Sequence, residues 1–189
     1  GELQITSIIA FSALIFGLAA PHWGRLSDRV GRKPIMITGL LGYTVGTVLF
    51  TSVFLAGMTG LLSGALLYAV LLITRCCQSI VMSATGPASA AYAADNTVRD
   101  ERTKTMARLG TASSMGAILG PAVSGALATF GLLAPLYFAA GLATAAAAVV
   151  WRKLPTAPEV RPIKRRPSRK LRYGDKRIAL LLVTAVGLF

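Results

Sequence analysis

Arg75 is the one charged residue in a stretch of sequence that runs from Leu61 to Ala94. At 1.5 Å per helical residue, it would lie near the middle of a helix that crosses a membrane. An arginine at that depth costs at least about 2.5 kcal/mol on insertion scales, so its guanidinium is expected to face water or an anionic group. The alternative is a structural arginine that bonds to backbone carbonyls.

The sequence around Arg75 has the composition of a membrane protein with several spans. Of its 189 residues, 54% are hydrophobic and 14% are charged, whereas a soluble domain has about 25% charged residues. The apolar residues are gathered in runs close to the about 20 residues that a helix needs to cross a bilayer. The third run is too long for one straight crossing, so either Gly86-Pro87 bends it or its end projects into the cytoplasm. We predict five spans and the start of a sixth, at 5–23, 35–56, 61–94, 106–130, 135–151 and 178 onward.

The positive charges follow the same organisation. The net charge is +13, and all Lys and Arg residues except Arg75 are found in alternate connections between the spans. This positive-inside pattern makes the connections 24–34, 95–108 and 152–177 cytoplasmic, and it explains the basic composition without a nucleic acid. Two adjacent cysteines exclude a disulfide framework, and a single histidine argues against a metal site. Because the first span then runs inward and Gly1 is not a methionine, we expect an internal piece of a longer protein.

The first cytoplasmic connection surrounds one carboxylate, Asp28, with cations close to the start of the next helix, a position that favours negative charge. From charge alone, this is a solvated loop with one balancing acid. The string from Gly24 to Lys33 resembles the loop signature of the major facilitator superfamily, G-x-L-x-D-R-x-G-R-K. The resemblance implies that this loop latches two six-helix halves together and gates the change between inward-facing and outward-facing states. All the defining positions match, namely Gly24, Leu26, Asp28, Arg29, Gly31, Arg32 and Lys33.

The neighbourhood of Arg75 resembles a second motif of that family, on its fourth helix. Leu71, Arg75 and Gln78 match the motif, while Ser79 stands where the family has glycine. The resemblance implies that Arg75 and Gln78 take part in proton transfer or in its control. No acidic residue is available at that depth in the visible spans, so a carboxylate partner would come from elsewhere in the protein or from the substrate.

Asp95 closes the third span in a position that is electrostatically unfavourable, because a helix C-terminus carries partial negative charge. It should therefore recruit a cation, and Arg29 and Arg32 are the candidates. An Ala-Asp ending followed by a charged loop also resembles the family's fourth helix. The alternative is an interfacial acid that is simply hydrated.

The fourth span is rich in glycine. Gly116 and Gly120 lie on one face, where small residues let helices approach closely, and Pro121 should bend or loosen the helix. The string from Gly116 to Gly125 resembles the motif G-x-x-x-G-P-x-x-G-G of drug/proton antiporters, with Ser124 at the penultimate position. The resemblance implies efflux, whereas helix packing alone would also account for the glycines.

These observations predict an all-α polytopic membrane protein with the major facilitator fold, covering the family's helices two to six and the start of helix seven. The expected divisions are a helical bundle at 1–152, a basic cytoplasmic interdomain loop at 153–177 and the start of a second bundle at 178–189. We expect a monomer in a plasma membrane, specifically a bacterial inner membrane.

The predicted function is proton-coupled efflux of a small drug-like or amphipathic compound by alternating access. We expect the protein not to be an enzyme. It should need no catalytic residue, metal or cofactor, since the proton gradient supplies the energy. The expected partners are the substrate, protons and the lipid bilayer. One alternative is a symporter or facilitator of the same superfamily that imports a sugar or metabolite. A second is a membrane scaffold or sensor that transports nothing.

Overall fold

A computed structural model of the protein describes residues 2 to 155, and these residues form helices joined by short turns. A single turn of 3-10 helix, Arg99–Glu101, precedes the fifth α-helix. The predicted spans at 5–23, 35–56 and 135–151 each fall within one helix, and the span predicted at 106–130 extends two residues beyond the end of α5 at Ala128. The start of a second bundle at 178–189, and nearly all of the predicted loop at 153–177, lie outside the described residues. The helices are α1 (Glu2–Val30), α2 (Arg32–Met58), α3 (Gly64–Met82), α4 (Thr85–Asp95), α5 (Arg102–Ala128) and α6 (Ala134–Lys153).

Four helical segments among the described residues are long and apolar enough to cross a membrane. The helix α5 is long enough, but it is not among the four. Its first turns carry Arg102, Lys104 and Arg108, and the rest is rich in glycine, serine and threonine, so its mean hydropathy is lower than that of its neighbours. The apolar segments are Leu3–Val30, Arg32–Met58, Gly64–Asp95 and Ala134–Lys153.

The third predicted span is interrupted, as Gly86-Pro87 led us to expect. Its two helices, α3 and α4, are separated by Ser83 and Ala84. A proline ring clashes with the carbonyl four residues earlier and supplies no N–H to it. For Pro87 that carbonyl belongs to Ser83, which explains why the break precedes the proline by one turn.

The helix α2 lies at the centre of the bundle, where it packs against α1, α3, α4 and α6. Small residues make these contacts close. On one side, the hydroxyl of Thr44 lies 3.2 Å from that of Thr144 on α6, beside the buried residues Ala140 and Ala147. On the other side, Gly39, Gly42 and Gly46 face α3 and α4, with no room for a larger side chain.

One cluster of buried apolar residues lies at the end of the bundle where α1 ends and α2 begins. Ile35 and Met36 of α2 pack with Ala84 and Ala88, while Trp23 and Leu26 of α1 cover them together with residues of α4 and α6. This cluster holds the end of α1, the start of α2 and α4 together. The same three elements carry the charged residues that were predicted to act as a gate.

Candidate functional site

The predicted cytoplasmic loop at 24–34 is almost entirely helical, which corrects its description as a loop. The helix α1 continues to Val30, and α2 begins at Arg32, so Gly31 alone separates them. The N–H of Gly31 donates to the carbonyl of Ser27 at 3.1 Å and completes α1. Its φ angle of 107° lies in the region that favours glycine. A polar sequence does not distinguish an exposed helical turn from a loop, and this accounts for the difference.

Arg32 is the centre of a charged network that we call the turn network, formed by Ser27, Asp28, Arg32 and Asp95. Its Nη1 lies 2.6 Å from Oδ1 of Asp28 and donates to Oγ of Ser27 at 2.7 Å. Its Nε donates to Oδ2 of Asp95 at 3.1 Å. The turn between α1 and α2 is thereby joined to the end of α4.

The turn network combines a buried part with an exposed part. The side chain of Arg32 is 15% exposed, whereas those of Asp28 and Asp95 are 36% and 46% exposed. Ser27 is 1% exposed, and its hydroxyl donates to the carbonyl of Gly24 at 2.8 Å while it accepts from Arg32. Of the two cations considered for Asp95, the structure places Arg32 beside it.

The remaining residues of the loop signature have different surroundings. Leu26 packs on the apolar cluster at the same end of the bundle, and a methyl group added at Gly24 would lie 3.9 Å from Cβ of Pro87. Arg29 is exposed and Lys33 is partly buried. Among residues 2 to 155, the recorded ion pairs involve neither of these two cations.

Arg75 lies on α3, and its side chain is at the surface of the described helices. Its Nη1 donates to Oε1 of Gln78 at 2.8 Å, and its guanidinium carbon lies 5.5 Å from the centre of the Phe50 ring. Both contacts are compatible with a retained positive charge, because an amide oxygen accepts from a cation and an aromatic face attracts one. Within the described residues, neither recorded ion pair includes Arg75.

Gln78 connects Arg75 to α2. It is 3% exposed, and its Nε2 donates to Oγ1 of Thr47 at 2.7 Å and to the carbonyl oxygen of Tyr43 at 3.3 Å. The pair predicted from the fourth-helix motif is therefore adjacent in space, and its uncharged member is held by the neighbouring helix. Arg75 and Gln78 lie on α3, before the interruption at Ser83 and Ala84, whereas Asp95 ends α4 after it. The turn network is therefore a separate site.

The glycine motif of α5 lies on an exposed helix surface. Gly116, Gly120, Pro121 and Gly125 are all exposed, and a methyl group added at any of the three glycines would meet nothing within 4 Å. The helix continues through Pro121 without interruption. The structure therefore does not bring this motif together with Arg75 or with the turn network.

An open apolar groove of about 430 Å³ lies between α1 and α3, and His22 and Trp23 are among its lining residues. The indole Nε1 of Trp23 donates to the carbonyl of Ile80 at 2.6 Å. That carbonyl also accepts from the hydroxyl of Ser83 at 2.7 Å, at the break between α3 and α4. Trp23 thus satisfies a backbone group close to the point where the helix is interrupted.

Three polar contacts were not identified from the sequence, namely those of Ser27, Thr47 and Trp23. Ser27 lies inside the loop signature, but it occupies a position that the signature leaves open. Thr47 precedes its partner Gln78 by 31 residues. Trp23 precedes Ile80 by 57 residues. Helical periodicity does not report contacts at such separations, so no sequence signal was available for Thr47 or Trp23.

Comparison with known proteins agrees with this architecture. The family model described as Major Facilitator Superfamily matches residues 1–189. Multidrug resistance protein 2 of Bacillus subtilis (strain 168) is 33% identical in a 143-residue alignment that covers 74% of this chain and 32% of that protein. Tetracycline resistance protein, class C, of Escherichia coli is 32% identical in a 145-residue alignment that covers 71% of this chain and 31% of that protein.

The chain belongs to the Major Facilitator Superfamily, a family of membrane transporters rather than enzymes. The match confirms the predicted family and its all-α membrane fold. It also agrees with a small-molecule substrate as the kind of partner. The chain spans about a third of the length of the two relatives, 32% and 31%.

Proposed function

We propose that the protein is a secondary active transporter that exports a small drug-like or amphipathic compound in exchange for protons, by alternating access. The observation that carries this proposal is the fixed position of the Arg75 guanidinium, which Gln78 holds at 2.8 Å on a membrane-spanning helix. A cation at that depth is costly and is retained by default for function. Relatives named for multidrug and tetracycline resistance support the direction of transport.

In this mechanism Arg75 controls proton coupling through its charge. A fixed cation lowers the affinity of nearby groups for a proton, so a carboxylic acid or a substrate that approaches it is favoured in its anionic form. Substrate and proton would then compete for the same region in the two states of the transporter. The turn network of Ser27, Asp28, Arg32 and Asp95 would stabilise one of those states at the cytoplasmic end.

The glycine face of α5 would supply a mobile contact in the same cycle. Gly116 and Gly120, which are four residues apart, leave that face without side chains, so another helix can approach it closely and slide along it. Pro121 removes one backbone donor within the same stretch. We place the protein as a monomer in a plasma membrane, a bacterial inner membrane in particular, with the proton gradient as its only energy source.

Everted membrane vesicles from cells that express the full reading frame test this proposal. Tetracycline, ethidium and a fluoroquinolone serve as the transported probes. Accumulation of a probe that requires an acidic vesicle interior supports efflux by exchange with protons. Proton-coupled exit from preloaded vesicles would indicate a symporter instead, and absence of flux would indicate a scaffold or sensor.

The variant Arg75→Ala tests the role of the guanidinium in the same vesicles. Proton-driven accumulation should be lost while the amount of inserted protein is unchanged. Arg25→Ala is the matched control, because Arg25 is an exposed arginine at an open position of the loop signature. Normal proton-driven flux in Arg75→Ala, or an equal loss in Arg25→Ala, would contradict the assigned role.

A further inference from the structure

The amide of Gln78 can take one orientation only, because its partners have opposite requirements. The carbonyl of Tyr43 can only accept a hydrogen bond, and the guanidinium of Arg75 can only donate one. The Nε2 atom must therefore face Tyr43, at 3.3 Å, and Oε1 must face Nη1 of Arg75, at 2.8 Å. The orientation of this amide consequently decides where Arg75 finds its acceptor.

Of the two hydrogen bonds that Nε2 of Gln78 donates to α2, the shorter goes to Thr47. Its Oγ1 accepts from Nε2 of Gln78 at 2.7 Å. Thr47 is 4% exposed and Gln78 is 3% exposed, so water does not replace either group easily. A low-dielectric setting strengthens such a bond and raises the cost of leaving the amide unpaired.

The helix α2 is also shaped to bring Thr47 close to Gln78. A methyl group added at Gly46 would lie 2.5 Å from Cγ and 2.7 Å from Cβ of Gln78. Only glycine therefore allows α2 and α3 to approach at this point. The close approach places the hydroxyl of the next residue, Thr47, within hydrogen-bonding distance of the amide.

We infer that Thr47 is a positioning residue for Arg75, acting through the amide of Gln78. This inference deepens the proposed function and rests on it, since it concerns the same cation. Without the Thr47 hydroxyl, Nε2 keeps only the longer bond to Tyr43, and the amide can rotate away from the guanidinium. Arg75 then loses the acceptor that fixes its charge in one place.

A matched control lies one turn further along the same helix. Thr51 is 1% exposed, and its hydroxyl donates to the carbonyl of Thr47 at 2.7 Å, within α2. Thr47 and Thr51 therefore share residue type, burial and helix, and they differ in whether the hydroxyl reaches Gln78. Valine has nearly the shape of threonine and lacks the hydroxyl, so Thr47→Val and Thr51→Val form the comparison.

The readout is a ratio measured in everted vesicles, with a probe that the unsubstituted protein accumulates. It divides the initial rate of proton-driven accumulation by the rate of exchange of labelled for unlabelled probe without a gradient. Loss of folded protein lowers both rates equally, whereas a misplaced Arg75 lowers the ratio. We expect Thr47→Val to lower it about fivefold, the change that a hydrogen bond of about 1 kcal/mol sustains.

Thr51→Val and Thr47→Ser should keep the ratio within about twofold of the unsubstituted protein, because both retain a hydroxyl at position 47. An unchanged ratio in Thr47→Val would overturn the inference, as would an equal fall in Thr51→Val or a failure of serine to restore the ratio. Absence of proton-driven accumulation in the unsubstituted protein would overturn the proposed function and this inference together.

Discussion

Replacing Asp95 by asparagine tests the turn network through two opposing effects. The substitution removes the ion pair with Nε of Arg32, at 3.1 Å. It also removes a carboxylate from the last residue of α4, where the partial negative charge of the helix terminus repels it. The first effect destabilises the fold and the second stabilises it, so their balance depends on whether Arg32 is present.

The magnitudes follow from the exposure of the side chains. The side chain of Asp95 is 46% exposed, so its ion pair contributes about 0.5 to 1 kcal/mol, and relief of the helix-terminus repulsion contributes about 0.3 to 1 kcal/mol. Asp95→Asn alone should therefore change the free energy of unfolding by less than about 0.5 kcal/mol. In an Arg32→Gln background only the relief remains, and the same substitution should stabilise the protein by about 0.5 kcal/mol.

Arg32→Gln alone should cost more, about 2 kcal/mol. It removes two ion pairs, and it removes the donor to the hydroxyl of Ser27, a residue that is 1% exposed. Leaving a buried acceptor unpaired costs about 1 kcal/mol or more. If Arg32→Gln lowers the free energy of unfolding by this amount while Asp95→Asn leaves it nearly unchanged, then most of the stabilisation comes from Arg32 and its contact with Ser27.

The assay is a double-mutant cycle on unfolding in mixed detergent micelles. The coupling between positions 32 and 95 should be about 0.5 to 1 kcal/mol, and it should fall between 0.1 M and 1 M salt as the Debye length shortens from about 10 Å to about 3 Å. Asp100→Asn, which replaces an exposed acid in the next turn, serves as the uncoupled control. Additive effects of Arg32→Gln and Asp95→Asn would refute the reasoning.

Four glycine substitutions, one of them a control, give further predictions, each measured as a change in the free energy of unfolding in the same micelles. Gly46→Ala should destabilise the protein by about 1 to 3 kcal/mol, since its methyl group would overlap Gln78. Gly141→Ala is the control and should not destabilise the protein, because its methyl group would meet nothing within 4 Å. Equal effects of the two substitutions would contradict the packing argument. Gly31→Ala should cost about 1 to 3 kcal/mol, because its φ of 107° and ψ of 155° lie in a region that is nearly restricted to glycine. Gly24→Ala, inside α1, should be neutral or stabilising by up to about 1 kcal/mol. A loss of stability equal to that of Gly31→Ala would contradict the distinction between a helical glycine and one with positive φ.

The helices could be predicted from the sequence because their signals are local. Long uncharged runs and alternating basic connections located all of the described spans, and Pro87 indicated the break in the third. The boundaries of the first connection were wrong, since the polar residues from Arg25 to Arg29 continue α1. Only the backbone conformation of Gly31 ends that helix, and a glycine in a sequence does not reveal its φ angle.

The candidate site could be predicted where charge was involved. An acid at the end of α4 and a cation at the start of α2 attract each other, and the structure places Asp95 beside Arg32. The contacts of Ser27 and Thr47 depend on how neighbouring helices are rotated against one another. Hydroxyl residues are frequent along these helices, so nothing in the sequence distinguished Thr47 from Thr51.

The helix α2 is the element that the two sites share. It carries Arg32 in its first turn and Thr47 near its middle, and it runs without a break between them. Their partners Asp95 and Gln78 lie on α4 and α3, on opposite sides of the interruption at Ser83 and Ala84. Because one continuous helix holds both halves of an interrupted one, a rigid displacement of α2 changes the contacts of the turn network and of the Gln78 amide together. Any alternating-access cycle that displaces α2 relative to α3 and α4 must therefore change both, whereas a bundle that rocks as one body leaves both in place.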